Sequence, residues 1–124
     1  MVFKKDFLDK IINITSNAAI ACYPHLGKKD KVLADKAATD EMRKNLNQLD
    51  INGKVVIGEG ELDEAPMLYI GEKLGNQKGQ SVDIAVDPVE GTNFVANNLP
   101  GAISVLAISE KGNLLKAPET YMDK

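Results

Sequence analysis

The stretch VDIAVDPVEGTN, residues 82 to 93, brings Asp87, Pro88, Glu90, Gly91 and Thr92 together directly after an alternating apolar run. Val82, Ile84 and Val86 alternate with Asp83, Ala85 and Asp87, the two-residue period of a strand. The pattern predicts that the strand ends at Asp87 and that Pro88 stops its hydrogen-bond ladder and turns the chain, freeing the Val89 carbonyl. Glu90 then returns a second carboxylate to the same place, and Gly91 permits close backbone approach. Thr92 adds a hydroxyl and a backbone N–H at the start of the next segment. Carboxylates with a carbonyl make an oxygen-rich site suited to Mg²⁺ or Mn²⁺, and amides at a helix start suit a phosphate. The chemistry implied is metal-assisted phosphoryl transfer. D-P-x-E-G-T by itself is a pattern of moderate specificity.

Two more acidic segments sit where acids are costly. Asp35 lies three residues before Ala38 on the inner stripe of a helical pattern, where the alternative role is helix capping. GEGELDEAP, residues 58 to 66, holds Glu59, Glu61, Asp63 and Glu64 immediately after a short apolar run, with no Lys or Arg between Lys54 and Lys73. A solvated acidic loop is the alternative, but Gly58 and Gly60 let the backbone bend sharply and bring Glu59 inward. Three such segments meeting at one rim of a sheet would repel one another unless oxygen-liganded cations offset the charge. Calcium would use similar ligands, although no D-x-[DN]-x-[DN]-G loop of the EF-hand type occurs.

The elements that must position these groups are legible in outline. Residues 3 to 22 form an amphipathic helix with Phe3, Phe7, Leu8, Ile11, Ile12, Thr15, Ala18, Ala19 and Cys22 on one stripe, ended by Pro24 and Gly27. A second helix is expected from about Val32 to Leu49, with Ala38, Met42, Leu46 and Leu49 spaced by threes and fours. NGK at 52 to 54 reads as a turn into the buried strand KVVIG, and NQKGQS at 76 to 81 as a second turn. AISVLAIS at 102 to 109 and LLKA at 114 to 117 read as a strand pair joined by EKGN. Helices come first and strands mostly later, so the expected class is α+β in layers, as one unit over residues 1 to 124.

Composition narrows the function classes. With 44% hydrophobic and 27% charged residues the chain is ordinarily globular, and its net charge of −3 argues against a nucleic-acid or anionic-membrane surface. The single cysteine, Cys22, excludes an intrachain disulfide and is read as a core residue. Asp6, Asp9 and Lys10 interrupt the apolar region a signal peptide needs, and no run approaches the roughly 18 apolar residues of a membrane span. The expected location is the cytoplasm.

KVLADKAATDEMR, VVIGEGELDEAPMLYIGEKLG, VDIAVDPVEGTN, LPGAISVLAISEKG and LLKAPETYMDK together closely resemble the start of bacterial class II fructose-1,6-bisphosphatases. These belong to the metal-dependent, lithium-sensitive sugar and inositol phosphatase superfamily. The resemblance runs through nearly the whole chain in order, and the GEGE-x-DEAPMLYIGE block is its most specific part. It implies a layered α/β/α/β/α fold, of which this chain would be the N-terminal portion. It also implies hydrolysis of the 1-phosphate of fructose 1,6-bisphosphate to fructose 6-phosphate and phosphate in gluconeogenesis, with links to glycerol metabolism.

By the same resemblance Asp35 and Glu59 correspond to ligands of one divalent ion and Asp87 and Glu90 to ligands of another, two or more Mn²⁺ or Mg²⁺ ions per site. Glu90, Gly91 and Thr92 correspond to the phosphate-contacting segment, Tyr121 to a substrate-contacting tyrosine, and Asp63 to a catalytic position near the metals. The position of Thr92, two residues after a proposed ligand at the start of the next segment, assigns its hydroxyl to orienting the attacking water, with helix capping as the alternative. The implied partners are the sugar bisphosphate and, for the full-length protein, further copies in a homo-oligomer, with no nucleic acid and no membrane. Lys36 stands where the family often has Gly, and family members run well beyond the length of this chain. Two other readings remain: a truncated, non-catalytic metal-binding fragment, and an inositol-monophosphatase-like phosphatase, against which the APMLYIGE block argues.

Overall fold

The computed structural model describes residues 3–60, 67–117 and 123. Two helices form one layer. Helix α1, Lys5–Cys22, runs into a 3₁₀ turn at Tyr23–His25, and α2 spans Lys31–Asn47. The Asp30 side chain accepts the Leu33 N–H and so caps α2, which leaves Asp35 one turn further in, free of any capping duty. Ile14, Ala18 and Cys22 of α1 and Ala34, Ala38, Met42 and Leu46 of α2 are buried, the i, i+4 stripe expected of helices covering a sheet.

The second layer is a four-stranded mixed sheet in the order β2-β1-β3-β4, built from β1 Ile51–Ile57, β2 Lys73–Leu74, β3 Gln80–Glu90 and β4 Ile103–Glu110. β1 and β3 are parallel, whereas β2 and β4 run antiparallel to their neighbours. Ile51, Val55, Val82, Ile84 and Val86 face the helices and join their buried side chains in one core. One residue after β3, past Gly91, the chain forms the short helix α3, Thr92–Ala96, whose Val95 and Ala96 are buried. The α+β expectation holds: a helical layer against a mixed sheet, consistent with the N-terminal portion of an α/β/α/β/α arrangement.

Four details differ from the sequence reading. NGK is no turn but part of β1, because Gly53 serves close packing: a Cβ there would stand 2.8 Å from Ile84 Cδ1 and 2.9 Å from the Leu74 carbonyl. The two-residue strand β2 was not foreseen. LLKA does not pair with β4; β4 pairs with β3, the chain turns at Lys111 and Gly112, and Leu115 is exposed. The Asp83 carboxylate accepts the Gly112 N–H at 2.7 Å and holds that turn, after which residues 114 to 117 form no ladder with β4. Finally, β3 does not stop at Asp87 but continues through Pro88 to Glu90.

Candidate active site

The extension of β3 sets the geometry. Asp87 pairs with Val105 and Glu90 with Ile103, so three steps on β3 oppose two on β4. The extra residue makes a bulge, and Pro88, which cannot donate to a ladder, sits fully buried within it. In an unbroken strand, residues three apart face opposite ways. The bulge restores parity, so Asp87 and Glu90 present their carboxylates to the same side. The chain then turns at Gly91, whose φ of 90° is open to glycine and strained for other residues.

Glu59 arrives from the end of β1. The Glu59 N–H donates to the Leu68 carbonyl at 2.9 Å, drawing this segment against residues 67 to 72. A Cβ on Gly58 would lie 2.3 Å from that same carbonyl, so only glycine permits the approach. Arg43 of α2 fastens the opposing segment by donating to the Met67 carbonyl at 2.6 Å and to Glu72 Oε1 at 3.0 and 3.1 Å. Asp35 reaches the site from the second turn of α2.

These groups line one cavity of about 480 Å³: Asp35, Glu59, Asp87, Glu90 and Thr92, with Met67 and Ile70 among its apolar walls. The Oδ1 atoms of Asp35 and Asp87 are buried and have no hydrogen-bond partner among the described residues, a costly state for carboxylate oxygens. Burial pushes the Asp35 carboxyl above the ordinary aspartate range. The Glu90 carboxyl is raised by a hydrogen bond to Asp87, then by the Asp87 charge and by burial. A carboxyl raised by a neighbouring carboxylate in this way keeps its proton more readily until a cation offsets the charge.

Among the described residues, no three His, Cys, Asp or Glu side chains stand close enough to grip one ion alone. Mg²⁺ seldom requires that: it binds through one or two carboxylates and fills its octahedron with water and substrate phosphate oxygens. The all-oxygen donor set and the two orphaned carboxylate oxygens fit such an ion. Thr92 opens α3, but the cap position belongs to Gly91 and no side chain caps the helix, so its hydroxyl is not spent on capping. Cys22 is buried in the core as expected, where burial and the neighbouring Asp35 charge raise its thiol pKa.

Asp63 and Tyr121 lie outside the described residues, as do Glu61 and Glu64. Sequence reasoning did not single out Met67, Ile70 or Arg43. All three stood inside quoted motifs without a role, and nothing local pointed to the partners of Arg43, which lie 24 and 29 residues away.

The family model described as bacterial fructose-1,6-bisphosphatase, glpX-encoded, matches residues 5–124. The chain is 51% identical over 121 residues to the fructose-1,6-bisphosphatase 1 class 2 of Escherichia coli K12, covering 98% of this chain and 36% of that protein. It is also 51% identical over 122 residues to a D-fructose 1,6-bisphosphatase class 2/sedoheptulose 1,7-bisphosphatase of Prochlorococcus marinus, with 97% and 36% covered. The chain thus spans about a third of the length of these relatives. Among solved structures, an extragenic suppressor from Pyrococcus furiosus superposes with a TM-score of 0.59 at 20% identity, over 86% of this chain and 41% of that one, a likeness of fold. No helix among the described residues is long and apolar enough to cross a membrane.

Proposed function

Because the chain belongs to the glpX-encoded bacterial fructose-1,6-bisphosphatase family, we propose that it is the N-terminal part of an enzyme that hydrolyses the 1-phosphate of fructose 1,6-bisphosphate. The products are fructose 6-phosphate and phosphate, a gluconeogenic step in the cytoplasm. The observation that carries this reading is the meeting of Asp35, Glu59, Asp87, Glu90 and Thr92, drawn from separate elements, in one cavity with orphaned carboxylate oxygens.

In this reading Asp35 and Glu59 hold one divalent ion, and Asp87 and Glu90 hold a second. Bound Mn²⁺ or Mg²⁺ supplies a more acidic water and neutralises charge on the phosphoryl oxygens. The protein's own work is positional. The bulge at Pro88 keeps Asp87 and Glu90 side by side, Gly91 lets the backbone approach the phosphate, and the Thr92 hydroxyl orients the attacking water. Asp63 is assigned to catalysis beside the ions and Tyr121 to contact with the sugar. The name of the Prochlorococcus relative supports sedoheptulose 1,7-bisphosphate as a second substrate of the full-length protein.

Calorimetric titration of Mn²⁺ into the chain tests the ligand set. Asp87→Asn and Glu59→Gln should each weaken binding by at least about ten-fold, and unchanged affinity in both would sink the shared site. The 124-residue chain should turn over fructose 1,6-bisphosphate poorly even with metal, since contacts to remote parts of a substrate help position its reacting centre. Brisk turnover by a monomeric chain would contradict that.

A further inference from the structure

A second cavity, of about 290 Å³, lies at the other end of β1 and β3 and shares no lining residue with the acid pocket. Lys54, Lys73 and Lys111 line it, with Asn52, Gln77, Ser81 and Asp83. Lys54 and Lys73 are direct partners across the antiparallel β1–β2 pair. Their neighbours Val55 and Leu74 are buried in the core, so both lysines project from the face of the sheet turned away from the helices. Like charges directly opposite each other destabilise a sheet. Lys111 is brought to the same place from the end of β4, its backbone N–H donating to the Ser81 carbonyl at 3.1 Å.

None of the three ammonium groups makes an ion pair or hydrogen bond among the described residues. The carboxylate in the lining, Asp83, is 4% exposed and commits Oδ2 to the Gly112 N–H. The lining therefore carries three cations against one anion. Asn52 donates to Ser81 Oγ at 3.1 Å, which leaves the serine hydroxyl proton available as a donor. Surplus charge, compact ammonium donors and a hydroxyl in a concave site suit a small doubly charged oxyanion.

We infer that Lys54, Lys73, Lys111 and Ser81 form a second, non-catalytic binding site for a phosphate or phosphate-monoester dianion. Along β1, Lys54 stands five residues before Glu59, roughly 16 Å at the usual strand rise. An anion held there does not block the acid pocket, and the assignment does not depend on what reaction that pocket performs. Binding relieves the Lys54–Lys73 repulsion, so occupancy should stabilise the fold by linkage.

The test uses the metal-free 124-residue chain in chelator, titrated with inorganic phosphate against sodium chloride at equal ionic strength. Backbone amide shifts at residues 52–54, 73–77, 81 and 111–112 should saturate with phosphate, and the unfolding midpoint should rise. Lys54→Gln/Lys73→Gln/Lys111→Gln should weaken phosphate binding by at least about ten-fold and abolish the rise in midpoint. Asp87→Asn should leave both intact. The single variant Lys73→Gln should unfold later than the unaltered chain when phosphate is absent, a readout independent of binding. Shifts that chloride reproduces, shifts that fail to saturate, or a triple variant that binds as before would each overturn the proposal. Tighter binding of a glutamate-rich peptide than of phosphate would overturn it in favour of a protein partner.

Discussion

Replacing Arg43 by methionine tests the strut behind the acid pocket. The Glu72 side chain is 10% exposed and receives two Arg43 N–H bonds on a single oxygen, while the guanidinium is 26% exposed. Removing the cation from a buried pair costs about 3–5 kcal/mol when the remaining charge is fully enclosed. Partial exposure of the arginine discounts that to about 2–3 kcal/mol. For a domain of this length each kcal/mol is worth roughly 4 °C, so Arg43→Met should lower the midpoint by about 8–12 °C. Arg43→Met/Glu72→Met removes both charges and should recover most of the loss, because apolar replacements of a buried pair are close to neutral. A deficit of about 1 kcal/mol should persist, since the Met67 carbonyl still lacks its donor. Thermal and urea unfolding of all four members of the cycle at neutral pH, in chelator, supplies the measurement. If Arg43→Met costs under about 0.5 kcal/mol, the pair behaves as a surface ion pair and the strut argument fails.

Asp35 yields a pH prediction with a definite sign. Its folded-state pKa is raised above the ordinary 3.8, so folding of the metal-free chain favours the protonated acid. That contribution is complete below pH 3.8 and is lost as pH rises through the folded value. Asp35→Asn should therefore unfold later than the unaltered chain at pH 7 in chelator, with the gap closing near pH 3.8. Added Mn²⁺ should reverse the order, and melting curves with and without metal check both. Gly58→Ala forces a Cβ to within 2.3 Å of the Leu68 carbonyl and should cost about 2 kcal/mol by urea denaturation while weakening Mn²⁺ binding through displaced Glu59. In the full-length enzyme, Thr92→Ala and Thr92→Val should lower kcat by about 100-fold or more with KM little changed; kinetics within a few-fold of normal would leave Thr92 without a catalytic role. Ile103 and Val105, 58% and 41% exposed on the uncovered sheet face, should drive association of the 124-residue chain, and Val105→Lys should weaken it in sedimentation equilibrium.

What the sequence determined by itself was local periodicity and the inventory of unusual acids. The i, i+4 stripe of Ala34, Ala38, Met42 and Leu46 and the alternation of Val82, Ile84 and Val86 are written in one-dimensional spacing, because side-chain direction repeats with fixed periods. Asp35, Glu59, Asp87, Glu90 and Thr92 were legible as a group because each departs from its local pattern, and the fold brings all five to one cavity. Tertiary structure decided whatever depends on a distant neighbour. Asn52-Gly53 spells a turn locally, yet Ile84 and Leu74 claim the space of the missing Cβ and hold the pair inside β1. LLKA has the composition of a strand, yet residues 114 to 117 pair with no strand and β4 stays the edge of the sheet, because strand composition alone supplies no ladder partner. Pro88 looks like a terminator, but opposite β4 it becomes the bulge that turns Asp87 and Glu90 to one side. Arg43 finds Glu72 and Met67, and Lys54 meets Lys73, only once α2, β1 and β2 are packed, since electrostatic and steric partners are chosen by distance in space.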